Sequence, residues 1–350
     1  MSNQFTYNTV SQQVILWYRG HKRSMPWRGE KDPYLIWLSE IILQQTRVEQ
    51  GRPYYERFVN RFPSIYTLAK ASQEDVMKAW EGLGYYSRAR NLHKAAKIVS
   101  EELNGIFPSS FEGLKKLPGI GDYTAAAIAS ICYEEHVVVV DGNVIRFISR
   151  FFKIDLPVST SACKKLIRQF AQWLMDAVER PSEFNQALME FGALQCTPRK
   201  PKCSVCPLSE NCMALRNGLV DKLPLKKKAK ASRDRYFIYD VPIENGHTYI
   251  KKRTSQDIWE GLYEFALLER TSGLEYDFQS SGRVLADEKV KHVLSHQNIH
   301  ARFIVYEGSP RFSVDDMERV PIKDLDKFAF SRLSTRFMEK TSFLWESEEE

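Results

Sequence analysis

Two carboxylates and four thiols are the groups through which this chain of 350 residues could do chemistry. Glu40 stands in YLIWLSEIILQQT, with Ile36, Trp37, Leu43 and Gln44 three and four positions away. A helix would gather those side chains around the carboxyl. Such an apolar surround raises its pKa and keeps the acid form populated, as a general acid requires. On position alone it could also be a glutamate at the rim of an amphipathic helix. Asp141 follows the run VVVV and precedes VIRFISRFF. There it can sit at a helix N-terminus, where backbone amides and the macrodipole favour the ionised form, and where a plain N-cap would look the same. Two carboxyls tuned in opposite directions suit glycosyl transfer: one protonates the leaving group while the other stabilises an oxocarbenium-like centre.

Cys196, Cys203, Cys206 and Cys212 are separated by six, two and five residues. Four thiolates suit a tetrahedral zinc, but zinc ribbons usually present two close pairs and only Cys203 and Cys206 are paired that way. A cubane iron–sulfur cluster tolerates uneven spacing because each cysteine serves a different iron. Spacing alone leaves both open. Cys132 and Cys163 lie in apolar segments that read as helices and are not needed for either site. Arg199, Lys200 and Lys202 crowd the cysteine loop, and from Arg199 to Arg235 eleven Lys or Arg face three Asp or Glu. A strip of that kind attracts a polyanion, or is a solvated linker. A further signal is LPGIGDYTAAAIA: Gly119 and Gly121 allow a tight turn, and a helix starting near Asp122 would offer unpaired amides to phosphate oxygens.

These groups need rigid elements to hold them. Apolar periodicity predicts helices through residues 1–215, punctuated by Gly and Pro, and Asp32-Pro33 has the cap and first-turn residue of a helix carrying Glu40. DKLPLKKKAKASRDR reads as a basic linker, residues 216–235. Alternation in RYFIYDVPIENGHTYIKK around Asn245-Gly246 predicts a hairpin, VKHVLSHQNIHARFIVYEG more sheet, and DKFAFSRLSTRFMEK a closing helix, so 236–345 reads as a smaller α+β domain. Residues 346–350 read as an acidic tail. The net charge is +6, there is no signal-peptide pattern and no apolar run of membrane-span length, so a cytoplasmic protein without a membrane partner is expected.

The cysteine spacing and the LPGIG string resemble the [4Fe–4S] loop and helix-hairpin-helix of the endonuclease III superfamily of DNA glycosylases. LSEIILQQT and VDGNV resemble the catalytic segments of its MutY-type adenine DNA glycosylases, and IWEGLYEF their Nudix-like second domain. The resemblance covers nearly the whole chain and is strongest from Pro26 to Cys212. It implies an all-α helix-hairpin-helix region with a [4Fe–4S] cluster on the four cysteines, then a Nudix-like lesion-recognition domain. Glu40 would protonate adenine, Asp141 stabilise the cationic sugar and Asn143 orient the site. Tyr123 stands where strand-cleaving relatives carry a lysine, which implies hydrolysis without nicking. Trp27, Arg28 and Gln186 would line the adenine pocket. Gln45, with Thr46 beside it, and Leu83 and Tyr85 would wedge into the duplex, while Gly119 and Gly121 approach its phosphates. Ser295 and His296 would read 8-oxoguanine, with Leu294 replacing the family's aromatic. No carboxylate-rich Nudix box is present, so the second domain is expected to be a reader rather than a hydrolase.

The partner implied is double-stranded DNA with A:8-oxoguanine or A:G mispairs, met by a monomer. An endonuclease III-like glycosylase/lyase for oxidised pyrimidines and a noncatalytic metal-containing DNA-binding protein are the competing readings. Tyr123 and the second domain oppose the first, and the second gives Glu40 and Asp141 no joint role.

Overall fold

A computed structural model of the chain describes residues 2–226, 232–254, 257–276 and 282–345. The expected acidic tail, 346–350, and the middle of the expected linker, 227–231, lie outside them. Contacts divide the chain into two units: Met1–Ala69 with Lys94–Lys228, and Lys70–His93 with Ala229–Glu350.

The first unit is helical. Asp32 caps the helix Pro33–Leu43 by accepting from the Tyr34 amide at 2.8 Å, and Pro33 occupies its first turn. This helix is apolar all round and buried over most of its length, so it lies in the interior. It packs against the helix Asp122–Tyr133, whose residues Ala125–Ala129 are all buried, since small side chains let two backbones approach closely. Gly119, at φ 77°, makes the turn before that helix in a conformation that disfavours any side chain. Asp141 caps the helix Gly142–Phe151, which buries Phe147, Ile148 and Phe151 against Trp17, Phe184 and Phe191 from the helices Ser2–His21 and Pro181–Leu194.

The linker expected over 216–235 is packed in its first part. Arg150 Nε donates to the Leu223 carbonyl at 3.1 Å, and the Val158 amide donates to that of Leu225 at 3.0 Å. Among the described residues no helix is long and apolar enough to cross a membrane.

The second unit builds, among its described residues, a six-stranded sheet in the order β4-β5-β1-β3-β2-β6: β1 Arg233–Ile243, β2 His247–Lys252, β3 Tyr263–Arg270, β4 Val284–Val293, β5 Gln297–Glu307 and β6 Glu318–Pro321. Asn245-Gly246 does reverse the chain, with φ of 50° and 71° and reciprocal Glu244–His247 hydrogen bonds. The expected ladder does not continue beyond it. β3 takes the place between β1 and β2, pairing antiparallel with both, because turn chemistry fixes only the residues beside a turn. The further sheet expected in VKHVLSHQNIHARFIVYEG is present, as the antiparallel pair β4–β5. The closing helix is shorter than expected, Arg332–Lys340, capped by Ser331; Phe330 before it is buried and bridges to Tyr263. Tyr239, Phe303 and Phe337 stack in sequence between sheet and helix, with ring centroids 4.5 and 4.1 Å apart.

Residues 70–93 belong to this second unit despite lying within the expected 1–215 region. The Phe330 amide donates to Glu81 at 2.8 Å, and Arg90 donates to the Glu260 carboxylate at 2.8 Å.

Candidate active site

Glu40 and Asp141, a hundred residues apart in the chain, line one cavity of about 130 Å³ in the first unit. Tyr123, Asn143, Trp27, Arg28 and Gln186 share its wall, so seven of the expected site residues converge there. Glu40 is 8% exposed. Burial pushes its carboxyl up to about 7; a hydrogen bond from Tyr123 and the Arg28 charge act against that shift, and the nearby Asp141 charge adds to it. The Tyr123 hydroxyl is itself raised well above its ordinary pKa by burial and by the two carboxylates, so it stays protonated.

Asp141 departs from its expected electrostatics. Burial raises its pKa although it caps a helix. The capping donors do oppose that shift: Oδ1 accepts from the amides of Asn143 at 2.9 Å and Val144 at 2.7 Å, and Oδ2 accepts from Asn143 Nδ2 at 2.7 Å. The two carboxyls therefore differ in the number of donors committed to the anion rather than in the sign of the shift.

Sequence reasoning missed the groups that fix these residues. Arg146 Nη2 donates to Asn143 Oδ1 at 2.9 Å and also to the Gly192 carbonyl, while its Nε donates to the Cys196 carbonyl at 2.7 Å. A Cβ on Gly192 would lie 2.6 Å from the Asn143 carbonyl oxygen, so only glycine lets the helix Pro181–Leu194 pass this closely. Glu190, 3% exposed, accepts from Arg23 Nε at 2.8 Å and from Arg28 Nη2 at 3.2 Å. Burial opposes its ionisation, yet the bonds from Arg23 and the charge of Arg28 prevail and hold its carboxyl below the usual value. Arg28 Nη1 also donates to the Tyr18 hydroxyl at 2.6 Å. Arg28 Nε is buried with no hydrogen-bond partner among the described residues. The available signal was two arginines four apart in the largely apolar VIRFISRFF.

All four loop cysteines line a second, small cavity of about 30 Å³, together with Phe147, Phe151 and Phe191. Arg150 Nη1 reaches Cys196 Sγ at 3.4 Å. Burial raises the thiols of Cys203, Cys206 and Cys212. Among the described residues no group of three or more His, Cys, Asp or Glu could hold a metal ion. Four thiols around one space, unevenly spaced along the chain, suit a multi-iron cluster in which each cysteine serves a different iron. Cys132 and Cys163 are not among the lining residues.

The remaining expected residues fall elsewhere. Gln45 is exposed just past the helix of Glu40, with partly buried Thr46 beside it. Gly119 and Gly121 form the hairpin turn, and Gly121 is the N-cap of the following helix. Leu83 is 5% exposed, so it is not presented as a wedge; packing against its neighbours hides it, whereas Tyr85 is 48% exposed. In the second unit the hydroxyls of Tyr85 and Ser295 hydrogen-bond to each other. Leu83, Tyr85, Trp259, His292, Ser295 and His296 line a cavity of about 340 Å³. The backbone at Tyr85 and Trp259 is left-handed, at φ 48° and 62°. Leu294, in place of an aromatic, lines the same cavity.

Comparison with known proteins agrees with both units. Residues 38–174 match the HhH-GPD superfamily of base excision DNA repair proteins, 196–212 the iron-sulfur binding domain of endonuclease III, and 241–340 a NUDIX domain. The second match identifies the cysteine loop as the seat of a [4Fe–4S] cluster. The chain is 34% identical to the adenine DNA glycosylase of Buchnera aphidicola subsp. Schizaphis graminum (strain Sg), over 86% of each chain. It is 43% identical to the adenine DNA glycosylase of Homo sapiens, over 57% of this chain and 38% of that one. Among solved structures, a thermostable thymine-DNA glycosylase superposes with a TM-score of 0.55 at 26% identity, covering 62% of this chain and all of that one. An endonuclease III–DNA complex, at 18% identity and a TM-score of 0.52, covers 62% of this chain and 98% of that one and shares the fold.

Proposed function

The chain belongs to the adenine DNA glycosylases, base-excision hydrolases of N-glycosyl bonds, and from that premise we propose that it releases adenine mispaired with 8-oxoguanine or guanine in duplex DNA and leaves the strand intact. The observation that carries this reading is the convergence of Glu40 and Asp141 on one cavity. A carboxyl whose pKa is raised to about 7 keeps about half its acid form near neutral pH and can give its proton to a ring nitrogen of adenine as the base leaves with the electron pair of the N-glycosyl bond. Asp141, committed to three donors as an anion, stabilises the positive charge left on the sugar. Water then supplies the hydroxyl at the sugar carbon, and its proton restores Glu40. Asn143 holds Asp141 in place, and Trp27, Arg28 and Gln186 surround the base. The buried, unpaired Arg28 Nε is a donor that a purine nitrogen would satisfy.

Tyr123 offers a phenol where strand cleavage needs an amine that can form a Schiff base, so the product is an abasic site. Cys196, Cys203, Cys206 and Cys212 hold the [4Fe–4S] cluster, which keeps the basic loop rigid and takes no part in bond chemistry. The hairpin amides beyond Gly119 and Gly121 receive backbone phosphates without reading sequence. Gln45 and Tyr85 are the exposed candidates for entering the opened stack. Ser295 and His296 read the base opposite adenine. We assign the helical region 1–215 to catalysis, 216–235 to a connection and 236–345 to lesion recognition, the last aided by Tyr85 through its bond to Ser295. The protein works as a monomer on DNA in the cytoplasm.

A single-turnover assay on duplexes with adenine opposite 8-oxoguanine or guanine, with and without alkali, tests this. Adenine release with strands that break only after alkali is expected. Cleavage of oxidised-pyrimidine duplexes without alkali would make it a lyase, and binding without release would make it noncatalytic.

A further inference from the structure

The chain leaves the helix of Glu40 through a strained turn. Gln44 has φ −56° and ψ 113°, Gln45 has φ 57°, and the Thr46 amide donates to the Leu43 carbonyl at 3.1 Å. Those are the angles of a type II turn with Gln45 at its third position, which favours glycine. A glutamine held there indicates that its side chain is wanted at that point in spite of the backbone cost. Something must fix the direction in which the turn presents it.

Gln44 does so. Its Nε2 donates to Thr124 Oγ1 at 3.1 Å, and Thr124, 1% exposed, is in the first turn of the helix that follows the Gly119–Gly121 hairpin. The preceding residue, Tyr123, lines the same cavity as Glu40, which lies one helical turn before Gln44. Consecutive residues of the hairpin helix thus face consecutive turns of the other helix, Tyr123 at the cavity of the acid and Thr124 bonded at the root of the Gln45 turn.

We infer that Gln44 and Thr124 are a positioning pair that ties the Gln45 turn to the phosphate-binding hairpin, so that seating the backbone in the hairpin sets the side chain that enters the opened stack. This rests on the excision reading given above, and the unmodified protein is the control that separates the two. The pair acts on extrusion of the base and leaves the proton transfer from Glu40 untouched.

The test uses the full chain and a duplex with 2-aminopurine in place of the target adenine, whose fluorescence rises when it unstacks. Thr124→Val and Gln44→Leu should each lower that signal and the single-turnover rate on adenine duplexes roughly five- to tenfold, the worth of one neutral hydrogen bond. The double variant should be no worse than either single one, as for two partners of one bond. Thr124→Ser should recover most of the signal because it keeps the hydroxyl, and the pH profile should not move. Additive losses, a Thr124→Ser as impaired as Thr124→Val, or a lowered rate with full fluorescence would overturn the inference. A parent protein that neither brightens the probe nor releases adenine would instead overturn the excision reading.

Discussion

One guanidinium joins the two chemical centres of the helical unit: Arg146 donates to Asn143 Oδ1 at 2.9 Å and to the Cys196 carbonyl at 2.7 Å. Asn143 in turn donates to Asp141, so the carboxylate of the candidate site and the first cysteine of the cluster loop share a support. Arg146→Met keeps much of the volume and removes every donor. Each hydrogen bond from a charged group is worth roughly 1.5–3 kcal/mol, so the variant should melt lower, lose its visible iron–sulfur absorbance sooner and excise at least tenfold more slowly. An intact cluster together with an intact single-turnover rate would show that the support is redundant.

Glu40 sets a pH dependence of definite sign. Its acid form is the competent one and its pKa is about 7, so kcat/KM should be flat at lower pH and fall about tenfold per unit above that value. Stability carries the same group: its folded pKa lies above the unfolded value of 4.5, so its contribution is complete below that value and lost as pH rises to about 7. The loss amounts to about 3 kcal/mol. Glu40→Gln should therefore abolish excision, keep duplex binding, and melt higher than the parent at about pH 8 but not at about pH 4. Equal melting difference at both pH values would contradict the buried acid.

Asp141 can be tested by charge and by position. Asp141→Asn removes the charge proposed to face the sugar and should cost at least about a hundredfold in single-turnover rate. Gly192→Ala leaves every polar group in place but forces a Cβ to within 2.6 Å of the Asn143 carbonyl. Misplacement by about 1 Å can cost about a hundredfold, so both variants should be slow while binding duplex within a few-fold of the parent. A fast Gly192→Ala would mean that the contact yields cheaply.

The Tyr85–Ser295 hydrogen bond predicts a coupled effect on lesion choice. Tyr85→Phe and Ser295→Ala should each reduce the preference for 8-oxoguanine over guanine by roughly five- to tenfold, with the pair together no worse than either alone. Independent, multiplying losses would assign the two hydroxyls separate contacts with the duplex.

Local chemistry was legible in the sequence by itself. Asp32-Pro33 and Asp141 start their helices as their side chains dictate, because a cap is completed within three residues. The GIG turn and the cysteine spacing are short-range in the same way, and they carried the family resemblance with them. Asn245-Gly246 reversed the chain for that reason too, yet the partner of β1 was decided elsewhere, by β3 some twenty residues on. The other decisions of the tertiary structure have the same origin. Asp141 is raised rather than lowered because distant segments bury it, which no cap motif encodes. Leu83 is hidden, and residues 70–93 join the sheet-bearing unit, because burial depends on what packs from outside the segment. Glu190 meets Arg23 and Arg28 across more than a hundred and sixty residues, and Arg146 reaches Cys196 across fifty. Sequence specifies which side chains can donate, accept or ionise; only the folded chain brings their partners within hydrogen-bonding distance and removes the water that would otherwise take their place.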